Sequence, residues 1–144
     1  MTDEELVGCA REAATKAHAP YSGFHVGCAV ESVDGEVVTG ANVENSCYRL
    51  GICAEQTALA AAQLRFGLAS VARLAIAGGR VDDGLSGEHP CTPCGGCRQA
   101  IHEAATLSGR DIEILSSNGD GTRIERHTIS ALLPSAFSGP AGGS

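Results

Sequence analysis

Residues 53–67 read CAEQTALAAAQLRFG, and this stretch decides how the rest of the chain is arranged. Alanine, leucine, glutamine and glutamate favour helix, so we expect a helix from about Cys53 to Phe66 with Gly67 as its C-cap. The apolar run LAIA at 74–77 follows between polar flanks and predicts a buried strand. A helix that leads into a buried strand indicates a sheet covered by helices.

The chain before this helix predicts one further helix and a hairpin. Thr2 and Glu5 have the spacing of a capping box, and apolar residues then recur at helical intervals, which predicts a helix that ends before Pro20. The runs 24–30 and 36–43 are rich in strand-forming residues, and an Asp-Gly pair, a favoured hairpin turn, lies between them. We therefore expect the first two strands to pair as a hairpin.

The chain after the buried strand predicts a loop, a second long helix and a last pair of strands. Residues 81–93 (VDDGLSGEHPCTP) are typical of a loop, and a helix is expected over about 94–107. The runs 111–116 and 122–128 are expected to be strands joined by a Gly-rich turn. A short helix at 130–133 is expected to end the folded part.

These elements alternate between helix and strand, so we expect an α/β fold: a three-layer α/β/α sandwich with a five-stranded mixed sheet. The chain has 144 residues, of which 43% are hydrophobic and 19% charged, and this suits one folded domain. We expect that domain to span residues 1–137 and to be followed by a flexible, Gly- and Ser-rich tail over 138–144.

Charge and hydropathy exclude several classes of function. The net charge is −7 and Lys16 is the single lysine, so a nucleic acid polymer is not an expected partner. The longest apolar runs, such as 58–62, are far shorter than the roughly 18 residues that span a bilayer, so no membrane segment is expected. The acidic start MTDEEL is unlike a signal peptide, which indicates a cytoplasmic protein.

The seven cysteines indicate metal binding or catalysis. Their number is odd and the sequence offers no route to secretion, so a disulfide framework is not expected. Cys94 and Cys97 have i, i+3 spacing at the predicted start of one helix, and Cys53 starts the other, two residues before Glu55. If the two helix starts meet, three thiolates and a carboxylate surround one place, which is the ligand pattern of a catalytic zinc site.

Two other uses of these cysteines stay open at this point. Cys91 precedes Cys94 by three residues, so a closed structural site with four thiolates is one alternative. A redox dithiol of the C-x-x-C type is the other, and it is less favoured because it gives Cys53 and Glu55 no role.

The order and spacing of these residues resemble a known signature. Cys53-Ala54-Glu55 followed by Pro93-Cys94-Gly95-Gly96-Cys97 is similar to the zinc deaminase signature, in the version with cysteine as the first ligand. The resemblance narrows to the small, homotetrameric type of cytidine deaminase and runs from near the N-terminus to about residue 137. Besides the signature, it is carried by YSGF at 21–24, NVEN at 42–45, CRQ at 97–99 and LLPSAF at 132–137.

The resemblance implies a hydrolytic enzyme with one Zn²⁺ per subunit, bound by Cys53, Cys94 and Cys97. Zinc lowers the pKa of water from about 16 to about 7 and so generates a nucleophile. Glu55 is implied as the catalytic group that takes a proton from this water and passes one to the departing ammonia. The implied reaction converts cytidine and 2′-deoxycytidine to uridine and 2′-deoxyuridine in pyrimidine salvage.

The resemblance also implies how the nucleoside is bound. Asn42 and Glu44 are implied to hydrogen-bond the ribose 3′-hydroxyl, and Phe24 to pack beside the base or sugar. The Ala54 backbone is implied to contact the exocyclic group of the base. In the homotetramer that the resemblance implies, a neighbouring subunit supplies the remaining contacts through Ser46, Tyr48 and Phe137.

This chain departs from the family pattern beside the metal ligands. Gln56 stands where the family commonly has arginine, so Gln56 and Arg98 are the residues expected to offset the charge of three thiolates. Two alternatives to cytidine deamination remain at this stage. One is a deaminase of a modified or antibiotic nucleoside, of the blasticidin type, and the other is a zinc-stabilised module without catalysis.

Overall fold

A single five-stranded sheet forms the centre of the computed structural model, which describes residues 1–139. Its strands are β1 (Phe24–Ser32), β2 (Val37–Ala41), β3 (Val71–Arg80), β4 (Glu113–Asn118) and β5 (Ile124–Thr128). The strands lie in the order β2-β1-β3-β4-β5. The pair β3–β4 is parallel and the other three pairs are antiparallel, so the mixed sheet predicted from the sequence is confirmed.

Helices cover both faces of this sheet. They are α1 (Asp3–Ala14), α2 (Ala54–Arg65), α3 (Gly95–Ser108) and the short α4 (Ile129–Leu132). The helix α1 packs on one face, whereas α2 and α3 lie together on the other. The predicted three-layer α/β/α sandwich is therefore confirmed. Within residues 1–139, we find no helix that is both long enough and apolar enough to cross a membrane.

Alternating side chains of β3 supply the centre of both cores. Leu74 and Ile76 are fully buried against the layer of α2 and α3. Ala75 and Ala77 point the other way, into the core under α1. Because successive strand residues face opposite sides of a sheet, one apolar run can fill two layers.

The elements differ from the predicted ones mainly in where they end. The helix α1 ends at Ala14, and the Thr15 hydroxyl donates a hydrogen bond to the Glu12 carbonyl just after its last turn. The strand β3 is longer than the predicted 74–77. Of the predicted tail over 138–144, residues 140–144 lie outside the described residues, and Ser138 lies within hydrogen-bond distance of the ring of His102.

Close approach of α1 to the sheet requires glycine at position 27. A Cβ on Gly27 would overlap the carbonyl oxygen of Ala10 and the backbone nitrogen of Ala14. We expect Gly27→Ala to lower the free energy of unfolding in urea by about 3 kcal/mol, because α1 and β1 would have to move apart to make room for the Cβ. Gly8→Ala is the matched control in the middle of α1, where a Cβ would meet nothing within 4 Å. That change should raise the free energy of unfolding by about 0.5–1 kcal/mol, and equal effects of the two changes would contradict the close approach.

Candidate metal centre and binding cavity

Two helix starts bring three cysteines together. Cys53 directly precedes α2 and Cys94 directly precedes α3, each with extended backbone, and Cys97 lies in the first turn of α3. The three Sγ atoms lie within 4.8 Å of one another. The convergence follows from the packing of α2 and α3 on the same face of the sheet, with the parallel crossover from β3 to β4 placing the start of α3 beside the start of α2.

The three thiols differ in their environments. Burial raises the pKa of Cys53 and of Cys97, which lies inside the core with no exposed surface. A hydrogen bond from the Cys97 backbone N–H, at the start of α3, lowers the pKa of Cys94. Thiolate sulfurs at this mutual distance are the donors that Zn²⁺ prefers, and three protein ligands leave its fourth position open. The donor set therefore fits a catalytic zinc ion.

Cys91 lies apart from this cluster. Among the described residues, the group of possible ligand atoms within 4.8 Å of one another consists of Cys53, Cys94 and Cys97. Cys91 packs against the core beneath α2 and α3, and its backbone N–H donates to the carbonyl of Ser117. Burial raises the pKa of the Cys91 thiol to about 12. The geometry thus favours three thiolates over four.

Glu55 lies in the first turn of α2 and is 5% exposed. Burial raises the pKa of its carboxyl, whereas hydrogen bonds from its own backbone N–H and from the Cys97 thiol oppose that rise. The side chain therefore points toward the thiols and not into solvent. A buried carboxyl beside three possible metal ligands is in position to accept and return a proton.

The two residues expected to offset thiolate charge lie in different surroundings. Gln56 places its side-chain Nε2 3.9 Å from the Cys97 sulfur, so it can act as a weak donor to that thiolate. The guanidinium of Arg98 donates instead to the backbone carbonyls of Pro93 and Leu132, at 2.8 and 2.9 Å. Arg98 therefore stabilises the loop that precedes Cys94. Its role in offsetting the thiolate charge stays a prediction.

A cavity of about 450 Å³ opens beside Cys53. Asn42, Glu44 and Tyr48, all predicted to bind substrate, line it together with one of the three thiols. Tyr48 was predicted to reach the site of a neighbouring subunit, whereas here it lies at the cavity of its own chain. The other residues that line it are Tyr21, Ser22, Asn45, Gly51 and Ile52.

The amide of Asn42 bridges the cavity to the sheet. Its Oδ1 accepts from the backbone N–H of Val26 at 2.9 Å, and its Nδ2 donates to the carbonyl of Phe24 at 3.0 Å. These two bonds extend the contact between β1 and β2 past Ala41, the last residue of β2, beside the hydrogen bond from the Asn42 backbone N–H to the Val26 carbonyl at 3.2 Å. They also fix which end of the amide is the donor and leave Nδ2 one further N–H.

The carboxylate of Glu44 is held by the turn before β1. Its Oε1 accepts from the backbone N–H groups of Tyr21 and Ser22, each at 3.1 Å, and its Oε2 accepts from the Ser22 hydroxyl at 2.6 Å. The Ser22 hydroxyl is the main cause that lowers the pKa of Glu44. Glu44 is a predicted site residue, whereas Ser22 had no predicted role, because the contact joins residues 22 positions apart.

The remaining predicted site residues occupy three kinds of place. Phe24 begins β1 and is half-buried, with its ring against Gly78, and Ala54 is fully buried directly after Cys53. Ser46 and Phe137 do not line the cavity of their own chain. Phe137 is 75% exposed, and its backbone carbonyl accepts a hydrogen bond from the Gln99 side chain at 3.0 Å.

A sandwich that gathers three thiols and a buried glutamate at two helix starts defines a class of proteins that use zinc in catalysis. Residues 1–108 match the family model described as the cytidine and deoxycytidylate deaminase zinc-binding region. The chain therefore belongs to this family.

Full-length relatives agree with this assignment. The chain is 38% identical over 138 residues to a cytidine deaminase of Sporosarcina psychrophila, which covers 96% of this chain and 93% of the relative. It is 37% identical over 141 residues to a probable cytidine deaminase of Dictyostelium discoideum, covering 96% of this chain and 87% of that relative. A crystal structure of cytidine deaminase from Burkholderia pseudomallei superposes with a TM-score of 0.82 and 38% identity, over 95% of this chain and 100% of that one.

Proposed function

We propose that this protein deaminates cytidine and 2′-deoxycytidine by hydrolysis, releasing ammonia and the corresponding uridine nucleosides, with residues 1–137 as its single catalytic domain. The observation that carries the proposal is the meeting of three thiols within 4.8 Å of one another, beside buried Glu55 and next to a cavity lined by Asn42 and Glu44. The near-full-length likeness to proteins named cytidine deaminase supports the same reaction.

Cys53, Cys94 and Cys97 would hold one Zn²⁺ per chain. When bound, zinc makes water a nucleophile at neutral pH. The Glu55 carboxylate takes one proton from the attacking water and gives it to the ring nitrogen N3. It then takes the second proton from the hydroxyl formed at C4 and gives it to the amino group, which leaves as ammonia while the C4–N bond breaks and the C4 carbonyl forms. Its burial keeps bulk water away from this transfer, and its place two residues after Cys53 fixes its distance from the metal ligands.

Asn42 and Glu44 form a matched donor and acceptor for one sugar hydroxyl. The free N–H of Asn42 can donate to the hydroxyl oxygen, while Glu44 accepts the hydroxyl hydrogen. The negative charge of Glu44 in the same cavity also disfavours a phosphorylated sugar. We therefore expect nucleosides, and not nucleotides or free bases, to be the substrates.

A substrate panel tests the proposed function. Purified protein with one zinc per chain should convert cytidine and 2′-deoxycytidine, measured by loss of cytidine absorbance, and should act poorly on cytosine and on cytidine monophosphate. Full zinc content without turnover of any aminated nucleoside would contradict the proposal and favour a zinc-stabilised module. Turnover of a modified nucleoside alone would move the assignment to that substrate.

We also infer that the protein acts as a homotetramer with shared sites. The exposed Phe137 supports this arrangement: the residue is 75% exposed, its carbonyl is held by Gln99, and it does not line the cavity beside Cys53, so its ring is available to another chain. The assembly should sediment at four times the chain mass of 14.6 kDa. The cytoplasmic location, the place in pyrimidine salvage and the lack of a nucleic acid partner stay predictions.

Hybrid assemblies test whether Phe137 serves a neighbour. Phe137→Ala should raise KM for cytidine, and Glu55→Gln should abolish turnover. When both variants are expressed together, some sites combine an intact Glu55 with an intact Phe137 from the adjacent chain. Activity at low cytidine above the sum of the two parents supports sharing, whereas activity equal to that sum contradicts it.

The neutral Gln56 gives a prediction about zinc affinity. Three thiolates on Zn²⁺ carry a net charge near −1, and the side chain 3.9 Å from the Cys97 sulfur adds no positive charge. We expect Gln56→Arg to raise zinc affinity by roughly tenfold in competition with a chromophoric chelator, because outer-shell partners have effects of this size. Ala60→Arg, on the exposed side of the same helix, is the control. Equal affinities in the two variants would contradict the charge argument.

A further inference from the structure

We propose that Ser22 is a positioning residue for the sugar-binding carboxylate of Glu44. The inference rests on the proposed function, in which Glu44 accepts a hydrogen bond from a ribose hydroxyl. Ser22 itself is expected to contact Glu44 and not the reacting atoms. It would fix the direction in which one oxygen of Glu44 faces the cavity.

The two oxygens of Glu44 are used unequally. Oε1 accepts two backbone N–H groups, from Tyr21 and Ser22, each at 3.1 Å. Oε2 has one partner among the described residues, the Ser22 hydroxyl at 2.6 Å. A carboxylate oxygen has two lone pairs, so Oε1 is saturated and Oε2 keeps one acceptor site for a ligand. Glu44 lines the cavity, so that remaining site is available to a bound nucleoside.

The hydroxyl of Ser22 has a fixed orientation. Its Oγ accepts a hydrogen bond from the backbone N–H of Phe24 at 3.1 Å, so its own hydrogen is left for Glu44. The turn that permits this contact depends on Gly23, whose φ of +68° favours glycine. Ser22 therefore links Phe24, the first residue of β1, to the carboxylate of Glu44, and this link holds Glu44 in place at the cavity.

Loss of this hydroxyl should act on binding more than on chemistry. Without it, Glu44 keeps only the two bonds to Oε1 and can rotate, so Oε2 is no longer held toward the sugar. We expect Ser22→Ala to raise KM for cytidine about tenfold, the size typical of one hydrogen bond to a charged group, with kcat within about twofold of wild type. Ser22→Thr keeps a hydroxyl and should restore KM to near the wild-type value.

A substrate without the relevant hydroxyl separates positioning from a general structural effect. Ser22→Ala also removes the acceptor for the Phe24 N–H, and a structural effect of that loss would weaken every nucleoside alike. We therefore compare cytidine with 3′-deoxycytidine in wild type, Ser22→Ala, Glu44→Gln and the double variant. The KM penalty of Ser22→Ala should vanish with 3′-deoxycytidine and should also vanish on the Glu44→Gln background.

Two results would overturn the role of Ser22. One is an equal penalty with both nucleosides, and the other is a full penalty that persists when Glu44 is already glutamine. Ser86→Ala is the matched control, because that hydroxyl donates to the carbonyl of Asp83 in an exposed loop. Wild-type turnover of cytidine tests the proposed function by itself, so its absence is distinguishable from a failure of the Ser22 proposal.

Discussion

Glu55→Gln is expected to keep its zinc and to lose turnover of cytidine by roughly a thousandfold, the scale of one general acid–base group. The side chain is 5% exposed and lies beside Cys97, and an amide of the same shape fills the same space. An amide cannot take up and return the proton that hydrolysis must move. The measurements are zinc per chain and steady-state turnover on one preparation.

The control for this change is Glu4→Gln, which alters an exposed carboxylate in the first turn of α1. It should leave both zinc content and turnover unchanged. Near-full activity of Glu55→Gln would remove the proton-transfer role. Loss of zinc together with activity would instead make Glu55 part of the metal site.

Cys97→Ser is expected to lose zinc and activity together. Cys97 is buried in the first turn of α3 with its sulfur among the three that converge. A serine oxygen there is a poor replacement for a thiolate, so zinc affinity should fall by more than the roughly 10–100-fold that loss of an outer-shell partner costs. Zinc per chain after gel filtration, and affinity against a chelator, measure this loss.

Cys91→Ser is the informative comparison, because Cys91 belongs to the same run of cysteines yet lies outside the cluster. We expect this variant to keep one zinc per chain and to turn over cytidine. If it lost zinc as completely as Cys97→Ser, the site would be a closed one with four thiolates. A zinc ion without an open position could not serve the proposed reaction.

The cysteines that cluster in the structure could be singled out in advance because local sequence marks them. Cys94 and Cys97 have helix spacing, and Cys53 and Glu55 occupy the start of a segment rich in strong helix formers. Helix starts favour thiolates, so residue type and position indicate the same chemistry. The sequence alone could not show that the first turns of α2 and α3 meet, because this depends on how the two helices pack against each other.

The sequence was less informative wherever a contact between distant segments decides the outcome. The strand β3 includes Arg73, although a charged residue beside the apolar run at 74–77 favours a strand that begins after it. Arg73 is tolerated there because Glu31 on the neighbouring strand and Asp3 on α1 both pair with its guanidinium. The YSGF stretch includes Ser22, but its contact with Glu44 could not be predicted for the same reason, since Glu44 lies on another segment.

Asn42 shows a third kind of difference. The run of strand-forming residues predicts strand through residue 43, yet β2 ends at Ala41. At Asn42 the side-chain oxygen, and not the backbone carbonyl, accepts the hydrogen bond from the Val26 N–H, while the Asn42 carbonyl accepts from the backbone N–H of His18. A pattern of hydrophobicity does not distinguish a backbone group from a side-chain amide that imitates it. The Asn42 side chain keeps one Nδ2 N–H that does not bond to Phe24, and Asn42 lines the cavity, so the residue after β2 is also part of the site.

A zinc ion bound by Cys53, Cys94 and Cys97 would also cross-link two distant parts of the chain. Cys53 precedes α2 and Cys94 precedes α3, and all of β3 lies between them. A cation gripped by both closes this long segment into a ring, which restricts the unfolded chain much as a covalent cross-link does. The three sulfurs converge only in the folded state. Each tenfold rise in free zinc above its dissociation constant should therefore raise the free energy of unfolding by about 1.4 kcal/mol. In the proposed function, the ion that activates water would therefore also stabilise the packing of α2 against α3.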